Sequence, residues 1–164
     1  MFCSSLKAVT VTKIKKELEN LSQRDLVEVS LKLAKFKKEN KELLTYLLFE
    51  AENEGGYIQV VKEEIDSQFL TINTDSYYYM KKTIRKILRI TKKYIRYSKK
   101  LETEVALLFY FCKKLQEMKP SYKRDLALVN LFNRQLVSME KSIAKMHVDL
   151  QYDYSRKIEE LTLQ

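Results

Sequence analysis

The few residues with reactive side chains in this chain do not form a catalytic or metal-binding motif. His147 is the only histidine, and Asp149 and Asp153 follow it closely. On a helix, His147 and Asp149 point in different directions, whereas a divalent metal site needs at least three converging ligands. We therefore expect His147 to be a surface histidine near a helix end.

The two cysteines, Cys3 and Cys112, do not form a disulfide framework, and this usage indicates a reducing compartment. Cys112 lies in an apolar run, where burial suppresses the reactive thiolate, and we interpret it as a small buried hydrophobe. Cys3 lies near a terminus that we expect to be mobile. A nucleophile pair of Cys112 with His147 would arise only if the fold happened to bring the two together.

An acidic cluster surrounds Gly55-Gly56, but it contains no histidine and has no metal-ligand spacing. Gly55-Gly56 is expected between two helices, so we interpret it as a turn and not as a phosphate-binding loop. The acids would then serve solubility or balance the charge of a basic helix that follows. The sequence thus predicts a protein that is not an enzyme and has no metal or cofactor. The cluster comprises Glu50, Glu52, Glu54, Glu63, Glu64 and Asp66.

The most distinctive feature of the sequence is the stretch 76–100, which holds 10 Lys and Arg residues and no Asp or Glu. The whole chain has 31 basic and 22 acidic residues and a formal charge of +9. Without this stretch, 21 basic residues stand against 22 acidic ones, so the positive excess is local. Such an excess indicates either a surface for an anionic partner or a face that acids of neighbouring helices neutralise.

Residues 76–100 are predicted to form one helix, with Thr74 or Asp75 as its N-cap. Apolar residues recur at spacings of three and four and form a stripe for burial. The stripe comprises Tyr77, Met80, Ile84, Ile87, Leu88, Thr91, Tyr94, Ile95 and Ser98. The cations fall on the other side of the helix, with Tyr78 among them. The predicted polyanion-binding residues are Lys81, Lys82, Arg85, Lys86, Arg89, Lys92, Lys93, Arg96, Lys99, Lys100 and Tyr78.

This cationic face predicts a non-enzymatic helical binding module. Nucleic acid is the favoured ligand, because Tyr78, Tyr79 and Tyr97 beside the cations can stack on bases. The alternative is an acidic protein partner, in which case the protein is an interaction scaffold or a subunit of a complex. A leftover apolar stripe on the last helix would also allow a homodimer.

The fold is predicted to be all-α, because only 2 glycines and 1 proline interrupt the chain. We expect six to seven antiparallel helices in a bundle or a short HEAT-like or armadillo-like array. The segment Val105–Cys112 is apolar on every side, so its helix should lie in the middle. The six predicted helices span about 22–40, 43–54, 57–72, 76–100, 102–118 and 122–145, and residues 147–164 either extend the last helix or form a seventh. The spacing of Ile14, Leu18 and Leu21 also allows a short helix over about 12–20.

Three helix boundaries carry local signals. Ser22-x-x-Asp25 resembles a capping box at a helix start. Asn40 is predicted to end that helix in the left-handed conformation, and Gly55-Gly56 to end the next one.

One helical domain is expected over residues 14–164, after a poorly ordered or extended N-terminus over 1–13. The N-terminus lacks a continuous apolar core segment, so we expect no signal peptide. No apolar run approaches about 18 residues, so no membrane span is expected. These features predict a cytoplasmic protein.

Overall fold

A computed structural model describes residues 7–162 and divides them into two compact units, with the boundary between Thr45 and Tyr46. All regular structure in these residues is helical, and the predicted all-α class is confirmed. The predicted single domain over 14–164 stays a prediction, because compact units need not fold independently. Part of the predicted extended N-terminus lies outside the described residues, as does Cys3. Residues 7–10 have no regular structure.

The first unit contains three helices: α1 (Val11–Glu19), α2 (Gln23–Phe36) and α3 (Lys38–Thr45). Ser22 caps α2 as predicted. Its Oγ accepts a hydrogen bond from the Asp25 N–H at 3.2 Å and donates one to the Asp25 carboxylate at 2.6 Å. None of residues 7–45 is fully buried.

The prediction that Asn40 ends α2 in the left-handed conformation is wrong. Helix α2 ends at Phe36, and Lys37 turns the chain in an extended conformation. Asn40 lies inside α3, and its side-chain amide donates to the Leu33 carbonyl at 2.9 Å. The amide therefore satisfies one of the free carbonyls at the end of α2 from the following helix.

The second unit contains five α-helices, which follow a π-helical turn over Tyr46–Glu50. A 3-10 turn over Tyr122–Arg124 precedes the fourth of them. Residues 7–162 thus contain eight α-helices instead of six to seven, because both terminal segments form helices of their own. The five helices are α4 (Glu54–Leu70), α5 (Tyr77–Ser98), α6 (Leu101–Glu117), α7 (Leu126–Ile143) and α8 (Val148–Thr162).

Gly55-Gly56 was predicted to end a helix, but it lies in the first turn of α4. Asn53 caps this helix, and its Oδ1 accepts from the Gly56 N–H at 3.0 Å. A Cβ atom at position 56 would lie only 2.5 Å from the Asn53 side-chain nitrogen. Glycine at position 56 therefore makes room for the cap, and the pair begins a helix.

One further prediction at a helix end is wrong, whereas the expectation for His147 is met. The N-cap of α5 is Ser76 and not Thr74 or Asp75, and Ser76 makes no side-chain cap hydrogen bond. His147 precedes α8 and is not part of a helix, so its Nδ1 lies 3.2 Å from Asp149 Oδ2. Both of these side chains are exposed, which agrees with the expected surface histidine.

Hydrogen bonds of Glu54 show the directions of α4, α5 and α6. Glu54 begins α4, and it accepts from Ser98 at the end of α5 and from Thr103 near the start of α6. Helix α5 therefore runs antiparallel to α4 and α6, which run parallel to each other.

Side-chain hydrogen bonds also give the directions of α7 and α8. Ser138, in the second half of α7, donates to Glu104 near the start of α6 at 3.1 Å, so these helices are antiparallel. Gln116 near the end of α6 donates to the Leu161 carbonyl near the end of α8 at 2.7 Å, so these helices are parallel. Helices α4, α6 and α8 share one direction, and α5 and α7 have the opposite one. This alternation fits the predicted antiparallel helices, for which a bundle or a short array was expected.

Helix α6 is the centre of the second unit, as its all-round apolar sequence predicts. It packs against α4, α5, α7 and α8. The side chains of Leu107, Leu108, Phe111, Cys112 and Leu115 have 0% solvent exposure. None of the helices between residues 7 and 162 combines the length and apolar character that a bilayer crossing requires.

Leu108→Ala is expected to lower the free energy of unfolding by about 2–5 kcal/mol, because it leaves a cavity in the close-packed centre. Lys113→Ala on the exposed side of the same helix should change it by less than about 0.5 kcal/mol. Urea unfolding followed by circular dichroism measures both values. Equal midpoints for the two variants would contradict the central position of α6.

Candidate polyanion-binding surface

Helix α5 presents one buried face and one cationic face, as predicted. Met80, Ile84, Ile87 and Thr91 are buried. The only polar group among these four, the Thr91 hydroxyl, donates to the Ile87 carbonyl at 3.0 Å and so is not left unpaired. The cations therefore lie on the opposite side, towards solvent.

Two tyrosine hydroxyls fix α5 at its two ends. Tyr57 of α4 donates to the Tyr94 carbonyl at 2.9 Å. Tyr77, the first residue of α5, donates to the Ser121 carbonyl at 2.9 Å, in the segment between α6 and α7. Each bond joins groups that are far apart in the chain, so the cationic face is held in a defined orientation.

A carboxylate cluster fixes the connection between α5 and α6. Glu54 accepts from Ser98 and Thr103 at 2.5 Å each and from the Tyr46 hydroxyl at 2.9 Å, and it pairs with Lys100 at 2.8 Å. Burial alone would raise the pKa of Glu54, but these four hydrogen bonds outweigh it and lower the pKa to about 2. Glu54 therefore stays ionised and ties α4 to the start of α6.

Three of the eleven predicted site residues are engaged elsewhere in the molecule. Lys81 pairs with Asp125 at 2.8 Å, and Lys100 pairs with Glu54. Lys93 is half-buried, and its Nζ lies 4.7 Å from the ring centre of Tyr94. We therefore leave these three lysines out of the candidate surface.

The other seven predicted cations are exposed. No carboxylate oxygen within residues 7–162 lies within 4.0 Å of their charged nitrogens. Like charges four residues apart, such as Arg85 with Arg89, remain adjacent without relief. We call this set the α5 ridge, and it comprises Lys82, Arg85, Lys86, Arg89, Lys92, Arg96 and Lys99.

Two exposed tyrosines lie at the N-terminal end of the ridge. Tyr78 is 70% exposed and Tyr79 is 52% exposed, and their rings meet edge to face at 5.3 Å. Together with Arg85 and Arg89 they line an open groove of about 720 Å³, which we call the tyrosine groove. Tyr97, the third tyrosine considered for stacking, is half-buried and packs against Tyr94 at 6.0 Å.

A second groove, which was not predicted from the sequence, lies between α5 and α7, and we call it the α7 groove. Its volume is about 800 Å³, and Lys92 of α5 lines it together with Asn130, Asn133, Arg134 and Lys141 of α7. The spacings of three, four and seven in α7 place its four residues on one helical face. Only the packing of α5 and α7 on α6 brings that face beside Lys92.

Within residues 7–162, neither a metal-ligand cluster nor a reactive thiol accompanies the cationic surface. Burial raises the pKa of the Cys112 thiol to about 12, so it stays protonated. In the described part of the chain, no three His, Cys, Asp or Glu residues converge as metal ligands. The predicted acidic cluster is divided: Glu54 serves the α5–α6 connection, whereas Asp66 accepts from the Tyr110 hydroxyl at 2.6 Å.

Comparison with known proteins finds no matching family, no similar curated protein and no similar solved structure.

Glu54→Gln is expected to lower the free energy of unfolding at pH 7 by about 3 kcal/mol, which corresponds to the fall of the Glu54 pKa from 4.5 to about 2. A lowered carboxyl pKa stabilises the fold above pH 4.5, and this stabilisation is lost as the pH falls towards 2. In urea unfolding at several pH values, the free energies of unfolding of the original protein and of Glu54→Gln should therefore become equal as the pH falls towards 2.

Glu52→Gln is the matched control, because Glu52 is exposed and lies two residues away. It should unfold like the original protein at every pH. A stability difference for Glu54→Gln that stays constant from neutral pH into acid would contradict the proposed role of the charge.

Proposed function

We propose that this protein is a non-enzymatic binding module that uses the α5 ridge to bind a polyanion, with nucleic acid as the ligand. The observation that carries the proposal is the set of seven exposed cations with no carboxylate of residues 7–162 beside them. A partner that supplies negative charge would relieve their mutual repulsion and release its own counterions.

The dimensions of the ridge suit a phosphate backbone. From Lys82 to Arg96 the helix rises about 21 Å, at 1.5 Å per residue. A strand with stacked bases advances about 3.4 Å along its axis for each phosphate, so a strand that follows the ridge presents several phosphates over this length. The ridge therefore offers several contacts to one strand.

The exposed tyrosines favour nucleic acid over the alternative ligand, an acidic protein. A purely electrostatic contact with acidic side chains makes no use of aromatic rings. Tyr78 and Tyr79 instead resemble the aromatic residues that hold bases beside a cationic surface in single-strand-binding proteins.

Binding of labelled 20-nucleotide DNA and RNA, single-stranded and duplex, should be measured by fluorescence anisotropy between about 50 and 200 mM salt. If the seven cations contact phosphates, a plot of log K against log salt should have a slope of about −5 for a single strand. Arg85→Gln with Arg89→Gln should reduce the slope by about 1.4, because two contacts are removed.

Lys113→Gln with Arg156→Gln is the control, because it removes the same charge from α6 and α8, away from both grooves. This pair should leave the slope unchanged. The proposal fails if the original protein binds no oligonucleotide at the lowest salt concentration. Binding to polyglutamate in the absence of oligonucleotide binding would support the acidic protein partner instead.

A further inference from the structure

The α7 groove continues the α5 ridge. Arg89 lines the tyrosine groove and Lys92 lines the α7 groove, and the two residues are one helical turn apart on α5. A ligand that follows the ridge from Tyr78 therefore reaches α7 without leaving a cationic surface. This inference rests on the proposed function, and it concerns the other end of the same surface.

The side chains of the α7 groove can bind phosphate. Lys92, Arg134 and Lys141 are exposed cations, and no acid is among the described residues that line the groove. The Nε of Arg134 donates to the Asn130 carbonyl at 3.1 Å, which orients the guanidinium group. Its remaining N–H groups can form the paired hydrogen bonds that arginine makes to phosphate oxygens.

Two carboxylates lie near this groove, but neither of them lines it. Glu104 of α6 accepts from Ser138, whose side chain belongs to the groove wall. Glu140 lines a different groove, between α7 and α8. The described lining of the groove therefore holds three cations and no acid, although Glu104 and Glu140 lie nearby.

The exposed amides of Asn130 and Asn133 add a second kind of contact. Each amide can donate and accept, as base edges do, and the Watson–Crick edges are free only in unpaired strands. Stacking on Tyr78 and Tyr79 at the other end also requires free base faces. Both ends of the surface thus offer contacts that a duplex cannot use fully.

We propose that the α7 groove is the second half of a single-strand-binding site. One strand stacks bases on Tyr78 and Tyr79, follows the α5 ridge with its phosphates, and enters the α7 groove. There its phosphates bind Arg134 and Lys141, and its bases meet the two asparagine amides.

The test uses the full chain and a fluorescein-labelled 20-nucleotide single strand of DNA or RNA. Arg134→Gln with Lys141→Gln should reduce the salt slope by about 1.4, as the α5 double variant does. Arg134→Lys with Lys141→Arg keeps both charges and should keep most of the slope. Asn133→Asp places a negative charge in the groove with almost no change of shape. Its loss of affinity relative to the original protein should become larger as the salt concentration is lowered, because screening of the added charge weakens. Circular dichroism and urea unfolding verify that each variant is folded.

The outcomes separate this inference from the proposed function. If Arg85→Gln with Arg89→Gln weakens binding while the α7 variants bind like the Lys113 and Arg156 control, the α7 groove is not part of the site and the ridge proposal stands. A preference for duplex over the single strand of the same sequence would overturn the single-strand assignment alone. If the original protein binds neither the duplex nor the single strand, the proposed function and this inference are both wrong.

Discussion

The middle of helix α6, from Val105 to Cys112, is apolar on every side, and this property determines how the helices of the second unit are arranged. Such a helix must be covered all round, and α4, α5, α7 and α8 provide the cover. Helices α5 and α7 both run antiparallel to α6, so two helices that are separated in the chain come to flank the same groove. The cationic surface is a consequence of that packing as much as of the charges themselves.

The chemistry of α5 follows from this arrangement. Its stripe from Met80 to Thr91 is used against the core, so its lysines and arginines are left towards solvent. Hydrogen bonds of Tyr57, Tyr77 and Glu54 then fix both ends of the helix and its connection to α6. The result is a row of like charges on a fixed helix, whose backbone loses little conformational freedom when an anion binds.

Patterns with a short period were predictable from the sequence, whereas pairings between distant residues were not. The stripe of α5 and the apolar run of α6 gave the helices and their buried faces because both depend on spacings of three and four. The pairs of Lys81 with Asp125 and Lys100 with Glu54 join residues 44 or more positions apart, and nothing local indicates them.

Gly55-Gly56 was misinterpreted because glycine occurs at helix starts as well as at helix ends. Arg134 and Lys141 were missed because single cations acquire meaning only beside another helix.

At the end of α5, the backbone conformation favours glycine, but the residue present is a lysine. Lys99 closes the helix at φ 57°, and it is the only non-glycine residue with a positive φ in the described chain. Glycine adopts this conformation without the steric penalty that a Cβ atom brings, and it is the usual residue at such a position. A glycine at position 99 would remove this steric penalty, but the α5 ridge would lose its last positive charge. Lys99 thus adds one positive charge beyond the last turn of the helix, although its side chain makes the left-handed backbone conformation less favourable.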